Sequence, residues 1–169
     1  MAFSIAFVGA VVSWVVRGAD PRRFLRHPPL VWLIGIGGLF GYHFFYFMAL
    51  RNAPPVEAGL IAYVWPLLIV VFSALLPGER LTWRHTAGAL AGLAGTGLLV
   101  TGGGAVNFQS AYTVGYVAAG ACAITWSGYS ILSRRFGSVP TDTVGWFCGA
   151  VAVLGALCHL MFETTVWPD

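Results

Sequence analysis

GYHFFYFMALRNAPPVEAGLIAYVWPLLIVVFSALLPGER, from Gly41 to Arg80, holds two apolar stretches of bilayer length joined by Pro54-Pro55, with His43, Tyr46, Tyr63 and Trp65 set inside them. In hydrocarbon every polar group needs a partner or a cavity, so membrane helices that serve only as scaffolding seldom carry such side chains at depth. The stretch predicts two membrane-spanning helices and a transport pathway beside them.

Composition around this stretch agrees. The chain is 58% hydrophobic and only 9% charged, with a mean hydropathy of +0.80. Soluble domains carry about 25% charged residues, so the class is a polytopic, all-α membrane protein. All nine basic residues are Arg, placed singly or in pairs beside apolar runs. That is the pattern of membrane topology and not of a nucleic-acid surface. Cys122, Cys148 and Cys158 fall inside apolar runs without CxxC or Cys/His spacing, so neither a disulfide framework nor a metal site is expected.

Crossing a bilayer takes about 20 apolar residues. Six candidate spans result: Ala2–Val16, Leu30–Leu50, Val56–Leu76, His85–Thr101, Tyr112–Leu132 and Val144–Phe162. The first resembles a secretory signal in length, but its charges (Arg17, Arg22, Arg23, Arg26) follow the apolar run instead of preceding it. Arg alternates across the loops: residues 17–29 hold four, 77–84 hold Arg80 and Arg84, 133–142 hold Arg134 and Arg135, and 102–111 hold no charge. With Lys and Arg cytoplasmic, both termini fall outside, although Met1 opens directly on an apolar run. The expectation is a further helix upstream, the chain being a piece of a longer protein. Arg51 breaks the pattern and lies near Glu57.

Glycine spacing adds two packing expectations. Gly88 and Gly92 form a GxxxG, followed by Gly95 and Gly97, so that helix is expected to pack backbone to backbone, within the bundle or in a homo-oligomer. Gly35, Gly38 and Tyr42 share one helix side, where the glycines make room for a ligand or for a neighbour.

The stretch Ala49–Val100 resembles the third to fifth helices of the EamA branch of the drug/metabolite transporter superfamily. Within that branch YHFFYFMAL, APPVEAGLIAYVWPLLIV and LLPGERL resemble the aromatic amino acid exporters. The resemblance implies a ten-helix fold of two inverted five-helix repeats around a central cavity, with binding near the bilayer midplane. Laid on this chain, residues 1–101 would be helices two to five of the first repeat, 102–111 an external linker, and 112–169 the first two helices of the second.

Candidate site residues follow. His43 lies about 20 Å into its helix. It reads as a hydrogen-bond partner for a substrate carboxylate or a proton carrier, or as a neutral histidine bonded to a neighbouring helix; the resemblance favours the cavity role. Tyr42 and Tyr46 flank it at one-turn spacing, and an aromatic amino acid would need such ring walls with a few polar tips. Phe44, Phe45 and Phe47 read as lipid- or core-facing bulk. Pro66 is expected to kink its helix near mid-bilayer. Tyr63 and Trp65 stand about 200° apart on an unbroken helix, so either the kink turns Trp65 inward or one of the two is packing. The resemblance favours Trp65 and Pro66 as cavity elements.

Trp126 and Tyr129, at i and i+3 beside Cys122 and Thr125, offer a second aromatic wall, with Trp126 favoured by resemblance. Glu57 follows Pro54-Pro55 at a helix start, where a carboxylate suits the positive end of the dipole; the other reading is an external gate or proton site paired with Arg51. Tyr112, Trp83 and Trp167 suit an interfacial belt, and His159 earns no role from spacing.

No HExxH, GxSxG or pair of deep carboxylates marks an intramembrane enzyme, and no charge ring marks a channel. No cofactor or ATP-binding loop is implied, so a gradient would drive transport. The function expected is export of aromatic or related hydrophobic amino acids across a bacterial inner membrane by alternating access. The alternatives are an EamA exporter of another metabolite or drug, and an inactive packing fragment.

Overall fold

The computed structural model describes residues 2–74, 76, 82–104, 108–135 and 139–162. Arg80, Glu163, Trp167 and Asp169 lie outside them. Within the described residues the secondary structure is helical: α1 (Ala2–Val16), α2 (Pro29–Asn52), α3 (Pro55–Ala62), α4 (Trp65–Ser73), α5 (Trp83–Thr101), α6 (Thr113–Arg135) and α7 (Thr141–Phe162), with short 3₁₀ turns at Pro21–Leu25 and Ser110–Tyr112. Helices therefore occur at all six expected spans, α3 and α4 together making the third. Three stretches, Pro29–Asn52, Pro55–Ser73 and Thr141–Phe162, are long and apolar enough to cross a membrane, while α1 is apolar but only 15 residues long.

Prolines and glycines set the boundaries. Pro54 precedes α3 and Pro55 opens it, a position where the missing N–H costs nothing. Pro66 stands in the first turn of α4 and cannot donate to the carbonyl one turn back, so the regular helix lapses at Tyr63-Val64. Tyr63 and Val64 keep near-helical dihedrals, φ −67° ψ 1° and φ −68° ψ −13°, so the expected kink is a two-residue irregularity within one span. At the end of α5, Gly102 adopts φ 58°, and the Gly103 N–H reaches the Leu98 carbonyl at 3.1 Å, closing the helix in a left-handed cap that side chains with a Cβ disfavour.

The chain forms two compact units: one takes the chain as far as Phe40 together with α7, the other runs from Gly41 to Arg135. In the first unit α1 packs on α7. The contact is made possible by Gly145 and Gly149: a Cβ on Gly145 would fall 2.5 Å from the Ala10 Cβ and 2.8 Å from Trp14, and one on Gly149 would fall 2.8 Å from Phe7. Here, and not at Gly88/Gly92, a GxxxG brings two helices together. Gly88, Gly92 and Gly95 have no neighbour within 4 Å of a Cβ position among the described residues, which corrects the expectation of close bundle packing at that face. Gly35 makes room for a neighbour, the Phe147 ring, which a Cβ there would overlap.

A polar knot joins the same unit. The Trp14 indole N–H donates to Asp142 Oδ1 at 3.0 Å, and Arg17 forms an ion pair with the same carboxylate. That hydrogen bond and charge raise the Arg17 guanidinium further above its usual pKa. The Trp146 indole donates to the Pro21 carbonyl at 3.1 Å, and His27 Nε2 lies 3.1 Å from the Thr143 hydroxyl. The connection after α1 is thereby tied down to the first turn of α7.

The second unit has an alanine core. Ala49 and Ala53 of the α2 end, Ala58 of α3, and Ala118 and Ala119 of α6 are buried together, with Leu50, Ile61, Tyr112 and Tyr116 packed around them. Helices with such small residues approach closely enough for dispersion and backbone contacts to hold them, which matters where lipid offers no hydrophobic drive. Tyr112, expected in an interfacial belt, is partly buried against this core, and Trp83 is 77% exposed.

Candidate functional site

Three backbone features of the second unit bring the aromatic residues together: the second half of α2, the break between α3 and α4, and the middle of α6. α6 approaches α2 where Gly41 lacks a side chain, since a Cβ there would fall 3.3 Å from the Thr125 methyl. On α6, Gly115, Ala118, Ala119, Cys122, Ala123, Ser127 and Ile131 are buried at helical spacing. Cys122 thus belongs to the packed stripe and is fully buried.

Trp126 is the hub of the arrangement. Its ring lies 4.9 Å from Tyr42, 6.4 Å and nearly perpendicular to Trp65, and 5.5 Å from Tyr129. Tyr42 stacks on Tyr46 at 6.0 Å with only 7° between the planes, as one-turn spacing on a helix allows. His43 stands edge-on to Tyr42 at 4.9 Å and 6.4 Å from Phe47. Centroid distances of 4.5–7 Å with tilted or edge-to-face planes are the favoured arrangements, each contributing about 0.5–1.5 kcal/mol beyond buried area.

Of the residues expected at the site, Tyr42, His43, Tyr46, Trp65, Trp126 and Tyr129 are joined in this network. Trp65 reaches Trp126, while Tyr63, 49% exposed, lies near enough to Tyr42 to interact with it electrostatically. Pro66 acts through the break itself. Phe44 and Phe47 are 49% and 59% exposed, as bulk facing lipid would be.

Glu57 sits in the first turn of α3, and its carboxylate accepts a hydrogen bond from the Tyr116 hydroxyl of α6. Tyr116 Oη also accepts from the Gln109 N–H at 3.3 Å, and the Phe108 ring lies edge-on to it at 5.3 Å. Glu57 is therefore more than a helix-end charge: it links α3 to α6 and to the segment before α6.

Two residues here escape a reading of sequence alone. Tyr116 falls near a helix start with no motif around it. Ser127 follows Trp126, is fully buried, and donates toward the Trp65 carbonyl at 3.0 Å and the Ala123 carbonyl of its own helix at 2.7 Å. Hydroxyls in mid-helix commonly bond their own preceding turn, so nothing in the sequence marks a cross-helix bond.

The rings offer stacking surfaces, and the phenols, imidazole and indole N–H groups offer polar tips. Such a set can hold a flat apolar group at one end and a charged or polar group at the other. Further along, toward the C-terminal ends of α4 and α6, an open groove of about 340 Å³ is lined by Phe72, Leu76, Gly128, Ile131, Leu132 and Arg135.

Residues 1–101 match the model of the EamA-like transporter family. The chain is 56% identical over 169 residues to the aromatic amino acid exporter YddG of Ancylobacter novellus, covering 99% of this chain and 58% of that protein. It is 25% identical over 154 residues to the uncharacterized transporter YyaM of Bacillus subtilis, covering 88% of this chain and 50% of that protein. To the probable terminal-alkyne amino-acid exporter of Streptantibioticus cattleyicolor it is 24% identical over 136 residues, or 80% and 46% of the two chains. A solved crystal structure shares 57% identity and a TM-score of 0.90 over 99% of this chain and 58% of that one. The chain thus spans about half the length of the curated relatives it matches. Its family is one of transporters and not of enzymes, and its apolar helices make it a multi-pass membrane protein. By the match over its first 101 residues and the identity along its whole length, the chain belongs to the EamA-like transporter family.

Proposed function

We propose that this chain acts in the export of aromatic or related hydrophobic amino acids across a bacterial inner membrane, by alternating access around the Trp126 ring cluster. The observation that carries the reading is Trp126 held between Tyr42 and Trp65 with His43 beside them. The rings would stack on the substrate side chain, and His43 and the two phenols would hydrogen-bond its carboxylate. Identity of 56% to an aromatic amino acid exporter supports the substrate class. In this reading residues 1–101 supply helices of a first inverted repeat, 102–111 a linker, and 112–169 the opening helices of a second. Glu57, with Tyr116, would tie the outer end.

Cells expressing the protein should survive toxic phenylalanine and tryptophan analogues better than cells without it, and His43→Ala should remove most of that protection. No protection, with His43→Ala indistinguishable from wild type at equal membrane levels, defeats the assignment. The similarity to a probable terminal-alkyne amino-acid exporter favours a second reading, export of terminal-alkyne amino acids. Protection against propargylglycine but not against the aromatic analogues would select it.

A further inference from the structure

We infer that Ser127 is a positioning residue that sets the spacing of the Trp65–Trp126 corner and hence the fit of a bulky ring; this rests on the proposed function.

Ser127 lies wholly inside the α4–α6 contact, with no exposed surface. Its single hydroxyl proton is offered to two carbonyls, Ala123 at 2.7 Å one turn back on α6 and Trp65 at 3.0 Å on α4. The second bond crosses between the helices at the residue that opens α4, one position before Pro66. Pro66 removes one N–H from the ladder there, which weakens the hold of α3 on the direction of the first turn of α4. The Ser127 hydroxyl supplies a fixed point in its place. Because Ser127 adjoins Trp126 in sequence, the same short piece of α6 holds the backbone of one tryptophan and carries the ring of the other, 6.4 Å from its partner and turned by 81°. Ser127 is shut off from solvent here, so removing the hydroxyl takes away the donor that ties the Trp65 carbonyl to α6 and leaves the Trp65 backbone free to drift from Trp126.

Ser130 is an internal control. Its hydroxyl donates to the Trp126 carbonyl at 2.8 Å, a bond within α6 alone. If hydroxyls on this helix serve only to satisfy their own turn, Ser127→Ala and Ser130→Ala should behave alike.

The test uses the purified chain labelled with 5-fluorotryptophan, the Trp65 and Trp126 ¹⁹F resonances being assigned by Trp65→Phe and Trp126→Phe. Ser127→Ala is expected to shift both resonances while leaving those of Trp14 and Trp32 in place, and Ser130→Ala to leave the Trp65 resonance unmoved. Equilibrium binding should then show tryptophan affinity weakened about fivefold in Ser127→Ala, the equivalent of one net hydrogen bond, and restored to within about twofold in Ser127→Thr. Unfolding midpoints of all variants establish that they fold, and should Ser127→Thr not fold, the pair of alanine variants decides. Unmoved Trp65 and Trp126 resonances in Ser127→Ala, or equal effects of the two alanine variants on Trp65 and on tryptophan affinity, overturn the inference. Wild-type protein that binds neither tryptophan nor phenylalanine defeats the proposed substrate instead, and the fluorine spectra alone then decide for or against Ser127.

Discussion

Gly115 is where the packing of the second unit is least forgiving. A Cβ at that position would fall 2.5 Å from the Ala53 Cβ, 2.6 Å from the Asn52 carbonyl carbon and 2.7 Å from its oxygen. Carbon atoms in contact prefer about 3.5–4.0 Å, so Gly115→Ala requires the end of α2 and the start of α6 to separate by roughly 1 Å. Two of the obstructing atoms are backbone, which cannot rotate away, and Ala53 belongs to the buried alanine core. Overpacking of this kind costs about 1–3 kcal/mol. Gly120, on the same helix, has nothing within 4 Å of its Cβ position, so Gly120→Ala carries the gain in helix propensity without the clash. The gain largely cancels between the two variants, and the expected difference in unfolding free energy is therefore about 1–3 kcal/mol against Gly115→Ala. Reversible unfolding in mixed micelles, followed by tryptophan fluorescence, measures it. Equal stability of the two variants would refute the close approach of α2 and α6 described above.

Other outcomes follow from the same geometry. Asp142→Asn removes the ion pair to Arg17 and weakens the indole bond from Trp14, so amide exchange in residues 17–26 should quicken while the core of α6 keeps its protection. Trp126→Ala deletes three ring contacts and should weaken phenylalanine binding about tenfold by equilibrium dialysis. Glu57→Ala and Tyr116→Phe each remove the bond between these two side chains and should lower transport to a similar degree; a Glu57→Ala protein with intact transport would end its proposed role at the outer end.

Much of this was legible because hydrocarbon imposes its rules residue by residue. Apolar length and proline positions located the helices, since each acts within one segment. One-turn spacing placed Tyr42 over Tyr46 for the same reason. What depends on a partner was hidden. The sequence contains GxxxG at Gly37/Gly41, Gly88/Gly92 and Gly145/Gly149, and nothing local tells which meets another helix; among the described residues both glycines do so only at Gly145/Gly149. The fate of Trp65 turned on how far Pro66 bends its span, a matter of a few degrees per residue that tertiary contacts decide. Asp142, Tyr116 and Ser127 drew no notice because their partners, at Trp14, Glu57 and Trp65, are 128, 59 and 62 positions away in the chain.

The central claim is that the Trp126 cluster receives an aromatic amino acid. Counterflow of labelled phenylalanine in proteoliposomes tests it most directly, with wild-type protein beside Trp126→Ala. The account predicts saturable uptake that tryptophan competes and glutamate does not, reduced several-fold by the substitution. Uptake that does not saturate, or that is the same in the two proteins, would contradict it.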